Sequence, residues 1–309
     1  MHFNQLDLNL LVALDALLDE KNITRAGNRI NLSQSAMSGC LGRLREFFND
    51  ELLVQVGRKM VPTPLGESLA KPVQDCLVHI QSTIATKPTF DPTVSQRHFK
   101  IMISDYMSIV FMPEVMRRVH EEAPGLTFEI VSSADYPLEA LERGEIDFRV
   151  LPDNFQAPSH SSEVLLEDVY TCIVWKDNRE VGDTLSIEQY LEMRHVLLRF
   201  GRERAPSRDE IFLSRLGYHR RMDMIATWFG VLPHFVVGTS RIATIPLRLA
   251  NIFLDHFPLR LIMPPIAIEP MVQTICWHSY YDQDPGKIWV RKFMKEVAQS
   301  LGPVSPRMM

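Results

Sequence analysis

The 309-residue chain has 46% hydrophobic and 23% charged residues, which places it among ordinary soluble globular proteins of about two domains. This composition excludes a wholly disordered, collagen-like or coiled-coil protein, and no apolar run approaches the roughly 18 residues of a membrane-spanning helix. The net charge of −5 hides a local reversal, because residues 1–20 carry four acids and no base whereas residues 21–45 carry five bases and no acid. A short basic stretch in an acidic chain indicates a small nucleic-acid-binding head on a larger body.

Hydrophobic spacing over the first fifty residues predicts three helices. Leucines at helical spacing indicate an amphipathic helix over residues 7–20. Asn22 can cap a second short helix over residues 23–30. Ser33 can cap a third helix that ends near Phe48. On this third helix, a stripe of apolar residues should be buried: Met37, Leu41, Leu44 and Phe48. The short turn before it is typical of a helix-turn-helix.

A polar face on the third predicted helix has the residue types that read DNA. Gln34, Ser35 and Ser38 lie near its N-terminus. Gln can pair with adenine N6 and N7, Ser can approach bases or phosphates, and the N-terminal N–H groups favour phosphate. Arg43 and Arg45 follow on the same helix, where they fit either phosphate contacts or salt bridges on the helix surface. We therefore predict that this helix enters the major groove of double-stranded DNA.

Two short strand-like runs follow, residues 52–56 and residues 59–61, and they flank Gly57-Arg58. This pattern predicts a two-stranded wing with a tight turn. The tip of the wing offers Arg58 and Lys59 to the DNA backbone or the minor groove.

A long connector helix is predicted next. Its apolar residues recur at steps of three and four and form a narrow seam: Leu65, Leu69, Val73, Leu77, Ile80 and Ile84. Such a seam favours pairing with a second helix, so we expect a homodimer here, although a helix packed on its own domain has the same pattern. Pro72 should kink the helix, and the proline-rich stretch 86–92 predicts a hinge. A dimer would read a pseudo-palindromic site.

Residues 98–309 alternate predicted strands with predicted helices, which indicates an α/β fold with mostly parallel sheets and helices on both faces. The expected strands are 99–103, 126–131, 147–151, 170–175, 195–200, 220–225, 259–263 and 271–278. The expected helices are 108–122, 138–143, 227–237 and 286–301, with two more that start at the capping boxes of Ser186 and Ser207. We therefore expect a head at 1–64, a connector and hinge at 65–97, and an α/β domain at 98–309.

Ligands in α/β folds bind at the carboxyl ends of strands, near helix N-termini. This rule selects three groups of candidates: Ser104, Asp105, Tyr106 and Met107 between a strand and its helix; Arg199, Phe200 and Arg202 after another strand; and Trp228 and Phe229 at the start of an apolar helix. The aromatic rings favour an aromatic, phenolic ligand, and the arginines could hold a carboxylate or phenolate. The alternatives are a helix cap for Asp105, core positions for Trp228 and Phe229, and surface positions for the arginines.

Several motifs, taken in order, resemble the LysR-type transcriptional regulators. They are Leu6–Asp15 (LDLNLLVALD), Ile23–Gly27 (ITRAG), Leu32–Ser38 (LSQSAMS), Leu41–Arg45 (LGRLR), Gly57-Arg58 and Pro62–Glu67 (PTPLGE). Within that family the chain most resembles the NodD/NahR-like subgroup, which responds to flavonoids, salicylate and other phenolic compounds. Trp277-His278, Asp284-Pro285-Gly286 and Trp289 resemble the same subgroup.

This resemblance implies a winged helix-turn-helix head, a long connector helix and a two-subdomain effector domain that is folded like periplasmic binding proteins and binds its effector in the cleft. It implies that Gln34, Ser35 and Ser38 enter the major groove, that Arg58 sits on the wing, and that Thr24 belongs to the DNA contacts. His278 joins the effector candidates, although a satisfied core histidine is the alternative.

The resemblance also implies a mechanism. We expect a homo-oligomer, a tetramer by resemblance, that bends promoter DNA between two winged dimers and acts chiefly as an activator. Effector binding would relax the bend and allow contact with RNA polymerase. Gly27, Ser35 and Gln55 depart from the usual Ala, Pro and Arg of the family, and Gly27 should weaken the second helix by up to ~1 kcal/mol relative to Ala.

Other classes of function have less support in the sequence. The start of the chain lacks the basic segment of a secretory signal, and four widely spaced cysteines favour a reduced, cytoplasmic setting. There is no nucleophile elbow, phosphate-binding loop, dinucleotide fingerprint or zinc-protease motif, so we expect no enzyme activity, no cofactor, no metal and no membrane partner. Two alternatives remain open: a small-molecule binding protein whose head does not read DNA, and an aromatic-metabolising α/β enzyme with such a head.

Overall fold

A computed structural model of the chain describes residues 7–57, 59–85, 89–132, 137–153, 160–201 and 204–304. The helices are α1 Asn9–Glu20, α2 Ile23–Arg29, α3 Gln34–Phe48, α4 Pro64–Ala85, α5 Asp105–Val110, α6 Met112–Glu122, α7 Ile187–Glu192, α8 Arg208–Arg215, α9 Leu232–Val236, α10 Leu247–Leu254 and α11 Pro285–Ser300. The strands are β1 Leu53–Val56, β2 Lys59–Pro62, β3 His98–Ile103, β4 Thr127–Val131, β5 Phe148–Pro152, β6 Ser161–Asp168, β7 Tyr170–Trp175, β8 His195–Phe200, β9 Ala205–Pro206, β10 Met222–Ala226, β11 Ile242–Pro246, β12 Leu259–Ile262 and β13 Met271–Trp277. None of the helices in these ranges has the length and apolar character that crossing a membrane requires.

The chain divides into two compact units, residues 1–86 with 142–144 and residues 87–141 with 145–309. In the first unit, the helices α1, α2 and α3 enclose a core of leucines together with Ala26 and Met37. Two predicted caps are confirmed, because the Asn22 side chain accepts a hydrogen bond from the Arg25 N–H and the Ser33 side chain accepts one from the Ala36 N–H. Strands β1 and β2 pair antiparallel as the predicted wing.

The seam of the connector helix α4 has two halves. In its first half, an apolar set packs against the core of the head: Leu65, Leu69, Val73 and Leu77. Val73 is buried and Leu65, Leu69 and Leu77 are half-buried within their own unit, as the alternative of a helix packed on its own domain expects. Pairing with a second helix stays a prediction. In the second half Ile84 is 80% exposed. Pro72 lies inside the helix. Of the predicted hinge at 86–92, residues 86–88 lie outside the described ranges.

The second unit contains two sheets, with strand orders β4-β3-β5-β13-β6 and β10-β8-β11-β7-β12, and β9 pairs with β8. We call residues 89–168 with 271–304 subdomain 1, and residues 170–262 subdomain 2. The prediction of mostly parallel sheets is wrong. Strand β13 is antiparallel to β5 and β6, and β7 is antiparallel to β11 and β12. The reason is that the chain leaves subdomain 1 through β6 and returns through β13 at the same edge, so these two strands run in opposite directions.

Several predicted elements differ from the structure at their ends. The helix expected at 108–122 begins at Asp105, with Ser104 as its cap, and is interrupted at Phe111. The helix expected at 138–143 is a single 3-10 turn over Leu138–Ala140, and the helix expected at 227–237 is a 3-10 turn followed by α9. The capping box at Ser186 is confirmed, whereas the Ser207 side chain makes no cap hydrogen bond.

Candidate DNA-binding surface and ligand cleft

The first turns of α3 present the predicted base-reading side chains to solvent. Gln34, Ser35 and Ser38 are all exposed, and the Ser35 hydroxyl lies 3.0 Å from the Ser33 hydroxyl. Thr24 is exposed on the first turn of α2, and Lys59 is exposed where β2 begins. This arrangement fits a helix whose N-terminal half enters a groove, while Ser33 caps it from within the turn. Arg58 lies outside the described residues.

The two arginines of α3 differ in what they contact. Arg43 is exposed, and its guanidinium lies 3.5 Å from the Asp7 carboxylate. Arg45 donates hydrogen bonds to two backbone carbonyls, at 2.9 Å to Glu51 and 2.7 Å to Leu53. These bonds hold β1 against the end of α3. The structure therefore gives Arg45 a role in stabilising the wing, while its contact with phosphate stays a prediction.

Gly27 has a packing role that the sequence does not reveal. A Cβ atom at this position would lie 2.7 Å from the backbone oxygen of Leu32. The turn before α3 thus packs on α2 at a distance that only glycine permits without a backbone shift. The expected loss of helix propensity at Gly27 is therefore accompanied by a close contact between α2 and the turn that precedes α3.

Asp105 joins the two subdomains. It lies in the first turn of α5, where Ser104 is the cap and accepts a hydrogen bond from the Met107 N–H at 3.3 Å. Ser104 therefore lies between strand and helix as predicted, whereas Asp105, Tyr106 and Met107 belong to the helix itself. The Asp105 carboxylate accepts a hydrogen bond from the Gly230 N–H of subdomain 2 at 3.2 Å. Burial raises the pKa of this carboxyl, although the backbone N–H groups around it oppose that rise.

Tyr106 and Met107 are fully buried in the core rather than open to a cleft. The Tyr106 hydroxyl donates to the Asp168 carboxylate at 2.7 Å, and burial raises the pKa of both groups. Asp168 is the last residue of β6, and it also accepts a hydrogen bond from the Arg248 N–H at 3.1 Å. Because Arg248 belongs to α10 of subdomain 2, this carboxylate joins the two subdomains at the point where the chain passes from β6 into subdomain 2.

An aromatic cluster lines the same junction. The centroid of the Phe229 ring lies 6.0 Å from that of Tyr106 and 5.8 Å from that of Phe200. Phe229 is buried, which bears out its core alternative, whereas Trp228 beside it is 58% exposed. The rings of both subdomains therefore meet here, with one large aromatic side chain facing solvent.

Two arginines near the junction, the candidate Arg199 and the residue Arg208 that sequence reasoning did not select, already have partners. Arg199 pairs with Glu210, the residue that the failed capping box at Ser207 would have used. Arg208, at the start of α8, pairs with Asp153 directly after β5, which joins subdomain 2 to subdomain 1. Sequence reasoning missed both Asp153 and Asp168, although each is an acid at the carboxyl end of a strand. Arg202 lies outside the described residues.

His278 is not part of this cluster. Strand β13 begins at the edge of its sheet where the chain passes between the two subdomains. His278, directly after the last residue of β13, therefore lies at the opposite edge, away from the junction. Its ring is buried and accepts a hydrogen bond from the Tyr280 N–H at 3.2 Å. The structure favours the core-histidine alternative and does not bring His278 together with the other ligand candidates.

Subdomain 2 is built on buried polar groups. Arg220 pairs with Asp209 at 2.7 Å, and the Tyr190 hydroxyl lies 2.7 Å from the Thr244 hydroxyl. His195 is fully buried next to them, and burial lowers its pKa to about 4. Within the described ranges, no three His, Cys, Asp or Glu side chains are grouped in a way that could hold a metal ion.

Comparison with known proteins gives a single family. Residues 8–67 match the "Bacterial regulatory helix-turn-helix protein, lysR family", and residues 93–299 match the "LysR substrate binding domain". Nodulation protein D 1 of Bradyrhizobium elkanii is 42% identical over 302 residues, which cover 98% of this chain and 96% of the relative. Nodulation protein D 1 of Rhizobium meliloti (strain 1021) is 41% identical over 305 residues, or 99% of each chain.

The solved structures agree with the fold. The crystal structure of a probable transcriptional regulator from Pseudomonas aeruginosa has 28% identity and a TM-score of 0.65, covering 95% of this chain and 97% of that one. The match extends over the head and over both subdomains, so the expected winged head and α/β effector domain are confirmed. Its relatives are transcriptional regulators rather than enzymes. The protein belongs to the LysR family of bacterial transcriptional regulators, which bind promoter DNA and small-molecule effectors.

Proposed function

We propose that this LysR-type regulator activates transcription in response to an aromatic, phenolic inducer bound between subdomains 1 and 2. The observation that carries the ligand class is the pair of accessible rings at the junction, the exposed Trp228 and the half-buried Phe200, with the buried Phe229 and Tyr106 rings packed behind Phe200. Such ring faces and edges favour stacked or edge-on contact with an aromatic ligand. The similarity to nodulation protein D relatives supports the same class, since the resembling subgroup responds to flavonoids.

The proposed inducer would act on bonds that already cross the junction. The Asp105–Gly230 hydrogen bond and the Asp153–Arg208 ion pair both depend on how the subdomains are placed. A ligand can shift this placement only by its differential affinity for two arrangements, typically about 1–3 kcal/mol. The inducer would therefore exchange some of these bonds for its own.

On the DNA side, we propose a head at 1–64 and a connector at 65–97 that serve an effector domain at 98–309. Gln34, Ser35 and Ser38 would read bases, while Thr24, Arg43, Arg58 and Lys59 would contact the backbone. A tetramer would hold two pairs of heads on one promoter and bend the DNA between the pairs. Inducer binding would relax the bend and permit contact with RNA polymerase.

Fluorescence anisotropy tests this proposal. The protein is titrated against the DNA upstream of its own gene, at two salt concentrations, with and without salicylate, luteolin or naringenin. We expect salt-sensitive binding that survives competitor DNA and shifts with one of the compounds. Binding no tighter than to random DNA contradicts the DNA-reading role. Tight binding of sugars or aliphatic amino acids alone, measured by calorimetry, contradicts the aromatic inducer.

A further inference from the structure

The Asp284-Pro285-Gly286 motif lies at the start of α11, far from the edge where the chain passes between the two subdomains, and the proposed function leaves it without a role. Asp284 is the cap of α11 and accepts a hydrogen bond from the Lys287 N–H at 2.9 Å. The same carboxylate also receives both terminal nitrogens of Arg97, at 2.6 Å and 2.7 Å. Asp284 and Arg97 are 187 residues apart in sequence, so this paired contact joins the start of α11 to the residue just before β3.

A second ion pair continues the first. The Lys287 ammonium lies 2.8 Å from the Asp147 carboxylate and 3.4 Å from the centre of the Tyr281 ring. Asp147 in turn accepts a hydrogen bond from the Lys100 N–H of β3 at 2.8 Å. The Asp284 side chain is 1% exposed and the Lys287 side chain 4%. We call Arg97, Asp147, Asp284 and Lys287 the anchor cluster.

The charges in the anchor cluster are matched to their burial. Burial by itself raises the pKa of the Asp284 carboxyl, but the bonds from Arg97 and from the Lys287 N–H hold it below its usual value. Charge-assisted, two-pronged pairs of this kind are geometrically specific as well as strong. The cluster therefore fixes the orientation of Arg97 relative to the start of α11, in addition to neutralising the buried charges.

Glycine and aromatic residues extend the contact to the start of the segment 90–97. A Cβ atom on Gly286 would lie 2.6 Å from Arg97 Nη1 and 3.1 Å from the Phe90 ring, so a larger residue here would displace the Arg97 guanidinium from its paired contact. The Phe90 ring lies 5.7 Å from the Trp289 ring. The Arg97 carbonyl accepts a hydrogen bond from the N–H of Thr127, the first residue of β4, at 3.1 Å.

We propose that the anchor cluster is a set of positioning residues for the inducer response: it fastens residues 90–97, through which the chain continues from the connector, to subdomain 1. All its partners belong to subdomain 1. Residues 90–97 therefore move as one body with that subdomain, so a change in how the subdomains are placed moves this segment with it. The inference rests on the proposed inducer gating and adds the residues that transmit it.

The test measures coupling rather than binding. In Asp284→Asn the new side chain can still cap α11, but the charge that pairs with Arg97 is lost. Arg97→Lys keeps the positive charge and loses the two-pronged geometry. Gly286→Ala keeps every charge and places a Cβ atom where the Arg97 guanidinium lies. The matched control is Glu163→Gln, which removes an ion pair of Glu163 with Lys295, a residue of α11, and touches nothing in residues 90–97. For each protein, the Kd for its upstream DNA is measured with and without saturating salicylate, luteolin or naringenin, and the Kd for the compound is measured with and without DNA.

We expect the DNA Kd without inducer and the inducer Kd without DNA to stay within about threefold of wild type in all variants. The inducer-dependent change in DNA Kd should fall below about twofold in the three anchor variants and be retained in Glu163→Gln. By linkage, the DNA-dependent change in inducer Kd should fall by the same factor, which a merely less stable protein would not show. A wild-type response that survives in folded Asp284→Asn, or in Arg97→Lys if the first variant does not fold, overturns the inference alone. A wild type that responds to none of the compounds overturns the proposed gating and this inference with it.

Discussion

The DNA-binding surface and the ligand cleft use their polar side chains in opposite ways. On α3, Gln34 and Ser38 project into solvent from a helix that its own caps hold in place. At the junction of the subdomains, Asp105 and Arg208 are already bonded across the interface. A ligand of the first surface meets a prepared face, whereas a ligand of the second must replace internal bonds. The cleft is therefore the part of the molecule whose equilibrium a small molecule can shift.

The largest effect on function should come from the exposed face of α3, through the loss of specific DNA affinity. Gln34→Ala combined with Ser38→Ala removes two base contacts, each worth about 1–3 kcal/mol of discrimination, so specific DNA affinity should fall roughly thirtyfold or more. Non-specific binding should persist, since the phosphate contacts remain. Anisotropy with specific and random DNA measures both. Glu46→Gln, an exposed change on the same helix, is the control, and unchanged discrimination in the double variant would falsify the assigned reading face.

Subdomain 2, which contains the buried His195, should be more sensitive to acid than the head. His195 has a folded pKa of about 4, below its usual 6.5, so it contributes stability that is present above pH 6.5 and is lost as the pH falls toward 4. The loss between pH 7 and pH 4 should reach about 3 kcal/mol. Urea unfolding at several pH values should show this slope, and His195→Gln should flatten it. A variant with the wild-type slope would contradict the role of His195.

A smaller contrast separates the two kinds of basic residue in the head. Arg45→Gln should lower the free energy of unfolding by about 1–2 kcal/mol, because two carbonyl acceptors lose their donor. It should leave the salt dependence of DNA binding unchanged. Lys59→Gln should do the reverse and reduce the salt slope by about one phosphate contact. If Arg45→Gln changes the salt slope as much as Lys59→Gln does, Arg45 contacts phosphate after all.

The smallest effect concerns a single bond across the cleft. Asp153→Asn removes the charge that pairs with Arg208, and both side chains are partly solvent-exposed. Loss of a contact present without inducer should lower the half-saturating inducer concentration by roughly threefold. A titration of the anisotropy response measures it, with Glu163→Gln as the control. A higher half-saturating concentration would mean that the contact belongs to the inducer-bound arrangement.

The sequence predicts the head far better than the cleft, and the reason is the range of the interactions. Asn22 caps an N–H three residues away, and Ser33 does the same, so a local pattern contains both partners. Asp105 finds its N–H 125 residues away. No periodicity connects such partners, and a polar residue at a strand end indicates a cleft without saying what fills it.

Two features of the effector domain were beyond local patterns for related reasons. The direction of β13 follows from where the chain re-enters subdomain 1, and spacing along the strand does not encode that edge. Strand β11 is buried along its whole length and leads through Pro246 directly into α10, so neither alternation nor a turn separates the two elements. Family resemblance supplied the architecture that these local signals could not.

The packing of α4 determines the smallest DNA-binding segment of this protein that could be exchanged between regulators and still keep its core. A head cut at residue 64 would lose Leu65, Leu69, Val73 and Leu77 from its core, and with them roughly three and a half turns of helix. Exchange of heads between regulators, by recombination or in a chimera, must therefore carry the connector to about residue 77. The winged helix-turn-helix head and the first half of α4 therefore form a single unit of recombination.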